Sequence, residues 1–162
     1  MKRRLLLGFL ALVAFPALVV SPALAEPTGP QPELPKEKLA IVTRDGKAHA
    51  FNVEMALTPD QQQVGEMFRT SVPQDGGMLF DWVQPQVSRM WMKNTLVSLD
   101  MVFINPDGTI RSIAESTTPL SLATIDSRGP VRATLELAAG TTTRLNIRVG
   151  DTVRQRIFGN AP

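Results

Sequence analysis

Beyond Lys38 the chain is dominated by short runs in which apolar and polar positions alternate with a period near two, the pattern of half-buried strands. Residues 39–44 and 48–55 are two such runs. Asp45-Gly46-Lys47 between them reads as a hairpin turn, because glycine accepts the positive φ such turns demand. Asp107-Gly108 plays the same part between residues 96–105 and 109–115. Residues 132–138 and 143–149 read as two more strands separated by Ala139-Gly140, and 151–158 as a closing strand. One segment breaks the pattern. Thr58 is a good N-cap, Pro59 suits the first helical position, and Gln61 stands where a capping box needs it, so a short helix is expected over 59–67. Its apolar edge (Val64, Met67, Phe68) must pack on the sheet for so short a helix to hold. These elements imply a mainly β fold: an antiparallel sandwich or partly closed barrel carrying one short helix as a lid or plug.

The pattern differs at the N-terminus. Lys2, Arg3 and Arg4 precede a nearly all-apolar run from Leu5 to Val20, and Ala23-Leu24-Ala25 supplies a small-x-small cleavage site. Residues 1–25 therefore read as a signal peptide, interrupted by Pro16 and Pro22 and too short for a convincing membrane span. The expected location is periplasmic or extracellular, with no membrane span once the segment is removed. Residues 26–38, EPTGPQPELPKEK, have little to bury and read as a Pro-rich flexible tether, leaving 39–158 as a single β domain.

Charge and composition narrow the functional classes. The chain holds 17 basic and 15 acidic side chains, and three of the basic ones lie in the signal segment, so the remainder carries 14 against 15, a net of −1. No basic stripe is left to attract nucleic acid. With no cysteine, thiol catalysis, Cys-ligated zinc and iron–sulfur clusters are excluded. A single histidine, His49, argues against a multi-histidine metal site or a Ser-His-Asp triad. No cofactor is implied.

The chemically suggestive stretch is residues 88–104, SRMWMKNTLVSLDMVFI. Asp100 stands in an apolar run whose two faces are both hydrophobic, so it is expected on a central strand and at least partly enclosed. An ionised carboxylate there needs a cation or several backbone donors, and Arg69 and Lys93 are the candidate partners. On a strand, Trp91, Lys93 and Thr95 would share a face, with the lysine stem lying along the indole. Together with Arg69, Asn94 and Ser127, they would form a polar rim for an anionic or hydroxyl-rich ligand. Asn94 could equally close a bend.

Two rival chemistries are open. Met90-Trp91-Met92 places two soft thioethers close together, as a Cu(I) site requires, although methionine also fills core gaps. Glu136, in Leu135-Glu136-Leu137, is expected to face outward as a solvated strand carboxylate; were it to share a cleft with Asp100, the two would make a hydrolase-type carboxylate pair. Gly76-Gly77 and Gly129-Pro130 read as turns.

Three segments in this order resemble the family called domain of unknown function 192: GEMFRTSVPQDGGMLFDW (65–82), WMKNTLVSLDMVF (91–103) and SRGPVRATLELAAGTTTRLNIRVGDTV (127–153). The resemblance spans nearly the whole folded domain and implies a small exported or lipid-tethered, compact, mainly β protein. Glu66 and Met90 stand where relatives more often have apolar and aromatic residues. The family implies no substrate. The expectation from residues and resemblance together is a non-catalytic binding or accessory module for a small polar or anionic ligand or an envelope protein.

Overall fold

The computed structural model describes residues 26–161; the signal segment expected over 1–25 lies outside them. Seven strands, β1 (Lys36–Val42), β2 (Ala48–Ala56), β3 (Met78–Met90), β4 (Leu99–Ile104), β5 (Ile110–Ala114), β6 (Ile125–Ala138) and β7 (Thr152–Arg154), form one sheet in the order β5-β4-β6-β3-β2-β1-β7. The two edges curl toward each other. Thr109 bridges Thr152, the Ile110 N–H donates to the Asp151 carbonyl (2.8 Å), and the Val153 N–H to the Gly108 carbonyl (2.8 Å). The result is a nearly closed barrel, in line with the sequence expectation. One pair departs from the antiparallel rule. β2 and β3 run parallel, with Met55 opposite Leu79, so a crossover is required between them. That crossover carries α1 (Pro59–Val64) and lays it on the outside of the sheet.

Closure gives the sheet an inside filled by Ile41, Phe51, Val53, Leu79, Val102, Leu135, Leu137 and Val153, among others. Part of the outside is buried as well. Phe103, Met101, Leu99 and Val131 make a second apolar cluster, and Met78, Phe80 and Ala56 a third beneath the crossover. β4 is accordingly buried at every position, as its doubly apolar pattern implied.

Several sequence expectations are corrected. Residues 143–149 are no strand: α2 (Thr141–Arg144) and a turn occupy them. The closing strand shrinks to β7, followed by a 3-10 turn over Arg156–Phe158. The long β3 follows the turn read at Gly76-Gly77 and runs to Met90, and irregular register between Asp81 and Gln86 accommodates Pro85. α1 ends at Val64 because Gly65 turns the chain at φ 50°. Its capping box is present as expected, with Thr58 Oγ1 accepting from Gln61 N–H and Gln61 Oε1 from Thr58 N–H. Finally, residues 26–38 are not a free tether throughout. Lys36–Lys38 begin β1, Gln31 Nε2 donates to the carbonyls of Gln61 (3.1 Å) and Gly65 (2.9 Å), and the Leu34 N–H donates to Glu54 Oε2 (2.7 Å).

Candidate functional site

Asp100 is fully buried, beyond the partial enclosure expected, and among the described residues no cation pairs with it. Its carboxylate accepts from the N–H groups of Ser116 (2.9 Å), Gly140 (3.2 Å) and Thr142 (2.9 Å) and from the Thr142 hydroxyl (2.7 Å). These donors clamp α2 and the β5 exit onto the end of β4, and they saturate the charge without a guanidinium. Of the two alternatives for a buried carboxylate, backbone donors won. Asp100 is a structural anchor.

The other expected site residues scatter. Ser127 is buried, accepts from the Ser88 N–H (2.9 Å) and donates to the Gly129 carbonyl (2.7 Å), an internal brace. Trp91, Lys93 and Asn94 lie in a turn after β3 rather than on a strand. Asn94 takes φ 56°, the bend foreseen for it, and its carbonyl accepts from the Phe68 N–H (2.8 Å). Lys93 does lie over the Trp91 ring, 5.2 Å from the centroid, and its ammonium pairs with Glu26 (2.7 Å). The Cu(I) geometry is not formed as imagined: Met92 is fully buried, its sulfur receiving the Thr117 hydroxyl (3.1 Å).

Arg69 leads to the cluster that matters. Its guanidinium grips Glu54 with two bonds, Nη1 to Oε1 at 2.5 Å and Nη2 to Oε2 at 2.8 Å, and its Nε lies 3.2 Å from Glu66 Oε2. Glu136 adds a third buried carboxyl. In the register Met78, Glu136 and Met101 form one row across β3, β6 and β4, so Glu136 points to the outer face, between two methionines. Asp100 pairs with Leu137 in the adjacent row and therefore faces the barrel interior. The two carboxyls proposed as a hydrolase pair lie on opposite faces of the sheet, which removes that chemistry. Glu136 does face outward, as alternation required, yet it is only 4 % exposed because α1 and the following turn cover that face.

Burial governs the protonation of this cluster. It pushes the Glu136 carboxyl well above the usual carboxylate range, with the Glu66 charge adding to the rise and Arg69 opposing it. Burial likewise lifts Glu66 to about 7 against the pull of Arg69. Glu54 is different: burial raises it, but the Arg69 hydrogen bonds and the Leu34 N–H together hold it below the ordinary value. The cluster thus joins a Glu54–Arg69 pair, with Glu54 held toward its ionised form, to Glu66 and Glu136, whose carboxyls burial holds toward their protonated forms. Glu66 Oε2 and Glu136 Oε2 have no hydrogen-bond partner.

Glu66 stands between two hollows. One, of about 590 Å³, lies on the Arg69 and Glu54 side under residues 30–36. The other, of about 350 Å³, lies between α1 and the sheet, walled by Phe80, Trp82, Met90 and Trp91, with Glu66 and Glu136 contributing the carboxyls. Phe80 and Trp82 are stacked at a tilt, centroids 5.8 Å apart. This second cleft joins aromatic walls to a buried, unpartnered polar atom, the composition of a small-molecule site, and its size falls near the lower end of the roughly 300–1,000 Å³ usual for one. Of the residues expected to form a site, Trp91 belongs to it directly and Arg69 through its Glu66 contact; Lys93 and Asn94 flank it, and Asp100 and Ser127 do not take part.

Sequence reasoning missed Glu54, Glu66 and Trp82, and misjudged the burial of Glu136. The available signal was the set of acidic residues inside otherwise apolar runs, NVEMA, GEMF and LEL, which Asp100 also shows.

Comparison with known proteins is consistent with this picture and adds no activity. The profile of the DUF192 family, described as "Uncharacterized ACR", matches residues 40–155, and the chain belongs to that family. A comparison with curated proteins finds no match. The similar solved structures include two that match most of the chain. One, from Sinorhizobium meliloti 1021, is described as a proposed transcription regulator; it is 44 % identical, with a TM-score of 0.76, over 78 % of this chain and 98 % of that one. The other is a protein of unknown function from Novosphingobium aromaticivorans DSM 12444, 31 % identical, with a TM-score of 0.71, over 85 % of this chain and 94 % of that one. Among the described residues no helix is long and apolar enough to cross a membrane.

Proposed function

We propose that this DUF192 protein is an exported, non-catalytic binding module whose site is the cleft between α1 and the outer face of β3 and β6. Its ligand is small and polar, with an apolar portion. The observation that carries the reading is Glu136: a carboxyl 4 % exposed, with one oxygen unpartnered, lining a hollow walled by Phe80, Trp82 and Trp91. A buried polar group without a partner costs about 1–3 kcal/mol, and a ligand donor would recover it. The anionic ligands considered from sequence find less support, because Arg69 and Lys93 are each held by carboxylates. Export rests on the charged, apolar and small-x-small sequence of residues 1–25. A regulator's role, as named for the S. meliloti relative, has no support from charge, since the chain beyond residue 25 is near neutral.

Both tryptophans of the chain, Trp82 and Trp91, line the cleft, so intrinsic fluorescence reports its occupancy without labels. A screen of small amines, alcohols, sugars and carboxylates should yield saturable quenching or a wavelength shift by at least one class. Silence from all of them would end the binding-module reading. Fractionation of the native host checks export independently: recovery of the unprocessed chain in the cytoplasm would contradict it.

A further inference from the structure

The cleft is short of positive charge. Three carboxyls (Glu54, Glu66, Glu136) share a single guanidinium, and Glu54 holds that guanidinium with two bonds. The other nearby cations among the described residues are engaged: Lys93 pairs with Glu26 at 2.7 Å, and Arg89, mostly solvent-exposed at the rim, lies 3.6 Å from Asp126. If ionised, Glu66 and Glu136 would leave two charges to be balanced by protons or by a ligand. Around them the walls are π faces and a thioether (Phe80, Trp82, Trp91, Met90), surfaces that attract a cation and cover an aliphatic body.

Resting on the reading above, we infer that the cleft takes an organic ammonium, a primary amine with a compact aliphatic body, whose N–H donors reach the unpartnered oxygen of Glu136 and the neighbouring Glu66 carboxyl while its carbons lie against Trp82 and Trp91. A neutral alcohol supplies a single donor and leaves the charge deficit untouched. A carboxylate would be repelled. Binding the cation draws protons off Glu136 and Glu66, so affinity should rise with pH. Glu54 and Arg69, which pair with each other on the side of the neighbouring hollow and reach the cleft only through the Arg69–Glu66 contact, and Arg89 at the rim do not reverse that sign.

The test compares three ligands of one shape, cyclohexylmethylammonium, cyclohexylmethanol and cyclohexanecarboxylate, by fluorescence titration of the full protein at pH 8 and at pH 5. Expected is saturable binding of the ammonium, at least about tenfold tighter than the alcohol, weakened at least about tenfold by Glu136→Gln and weaker at pH 5. The carboxylate should give no saturable response. Equal or tighter binding of the alcohol or the carboxylate overturns the ammonium assignment and leaves the binding module standing. No response to any of the three overturns the ammonium assignment and counts against the module as well. The wild-type ligand series decides the matter even if Glu136→Gln fails to fold.

Discussion

Asp100 and Glu136 occupy neighbouring strands in adjacent register rows, and their surroundings give them opposite roles. Asp100 meets four donors and stays structural. Asp100→Ala should strand the buried Thr142 N–H and hydroxyl, remove the acceptor of the part-buried Ser116 and Gly140 N–H bonds, and cost on the order of 3 kcal/mol, measurable by urea unfolding. Thr142→Val, which removes the hydroxyl alone, should cost about 1–2 kcal/mol; no loss in the latter would show that the hydroxyl bond is immaterial. Glu66 and Glu136 meet too few donors and hold protons instead. Because the native state binds more protons than the unfolded chain, stability should fall as pH rises. For Glu66 the decline spans the ordinary glutamate pKa of 4.5 to about 7 and amounts to on the order of 3 kcal/mol; Glu136, raised by the same burial, adds to it. Thermal melts from pH 5 to pH 8 should show the drop, and Glu136→Gln should make it shallower. A melting temperature that climbs steadily through this window would contradict the assignment.

At the scale of elements, local chemistry made some segments readable and others not. The two Asp-Gly turns and the Thr58–Gln61 capping box act within a few residues, so the sequence alone sufficed for them. Residues 143–149 look like a strand because threonine and isoleucine favour one. A distant carboxylate decided otherwise: Thr142 turns its N–H and hydroxyl to Asp100 and starts α2 in place of a ladder. The parity of Leu135-Glu136-Leu137 was also legible, but the cover over its outer face was not, since α1 arrives there only through the parallel β2–β3 crossover. Gly65 completes that cover. With φ 50° and space so tight that a Cβ would sit 3.0 Å from the Phe80 ring, it delivers Glu66 into the cluster. Gly65→Ala should cost about 1–2 kcal/mol and disturb the tryptophan emission of the cleft; unchanged stability and spectrum would mean that the turn is not constrained as drawn.

For the molecule as a whole, a mainly β fold, sandwich or partly closed barrel, followed from counting alternating runs, while the choice of the nearly closed barrel did not, because it depends on which edges meet. The seam is short: one bridge at Thr109 and Thr152, plus the bonds around Ile110 and Val153. β7 is only three residues long, so hydrogen exchange should be fastest among the strands there and slowest in β4 and β6, whose interiors are buried on both faces. Uniform protection around the sheet would argue for a fully continuous barrel.

The segment ahead of the first strand also carries a practical consequence. Gln31 and Leu34 fasten it to the end of α1 and to Glu54, so the leading end of the domain is wired to the very carboxylate that organises Arg69. A chain begun at Leu39 would lose the Leu34 donor to Glu54, the Gln31 tie to α1, and the first three residues of β1 with their pairing to β2, so trimming there acts on the barrel edge and on the Glu54–Arg69 pair together.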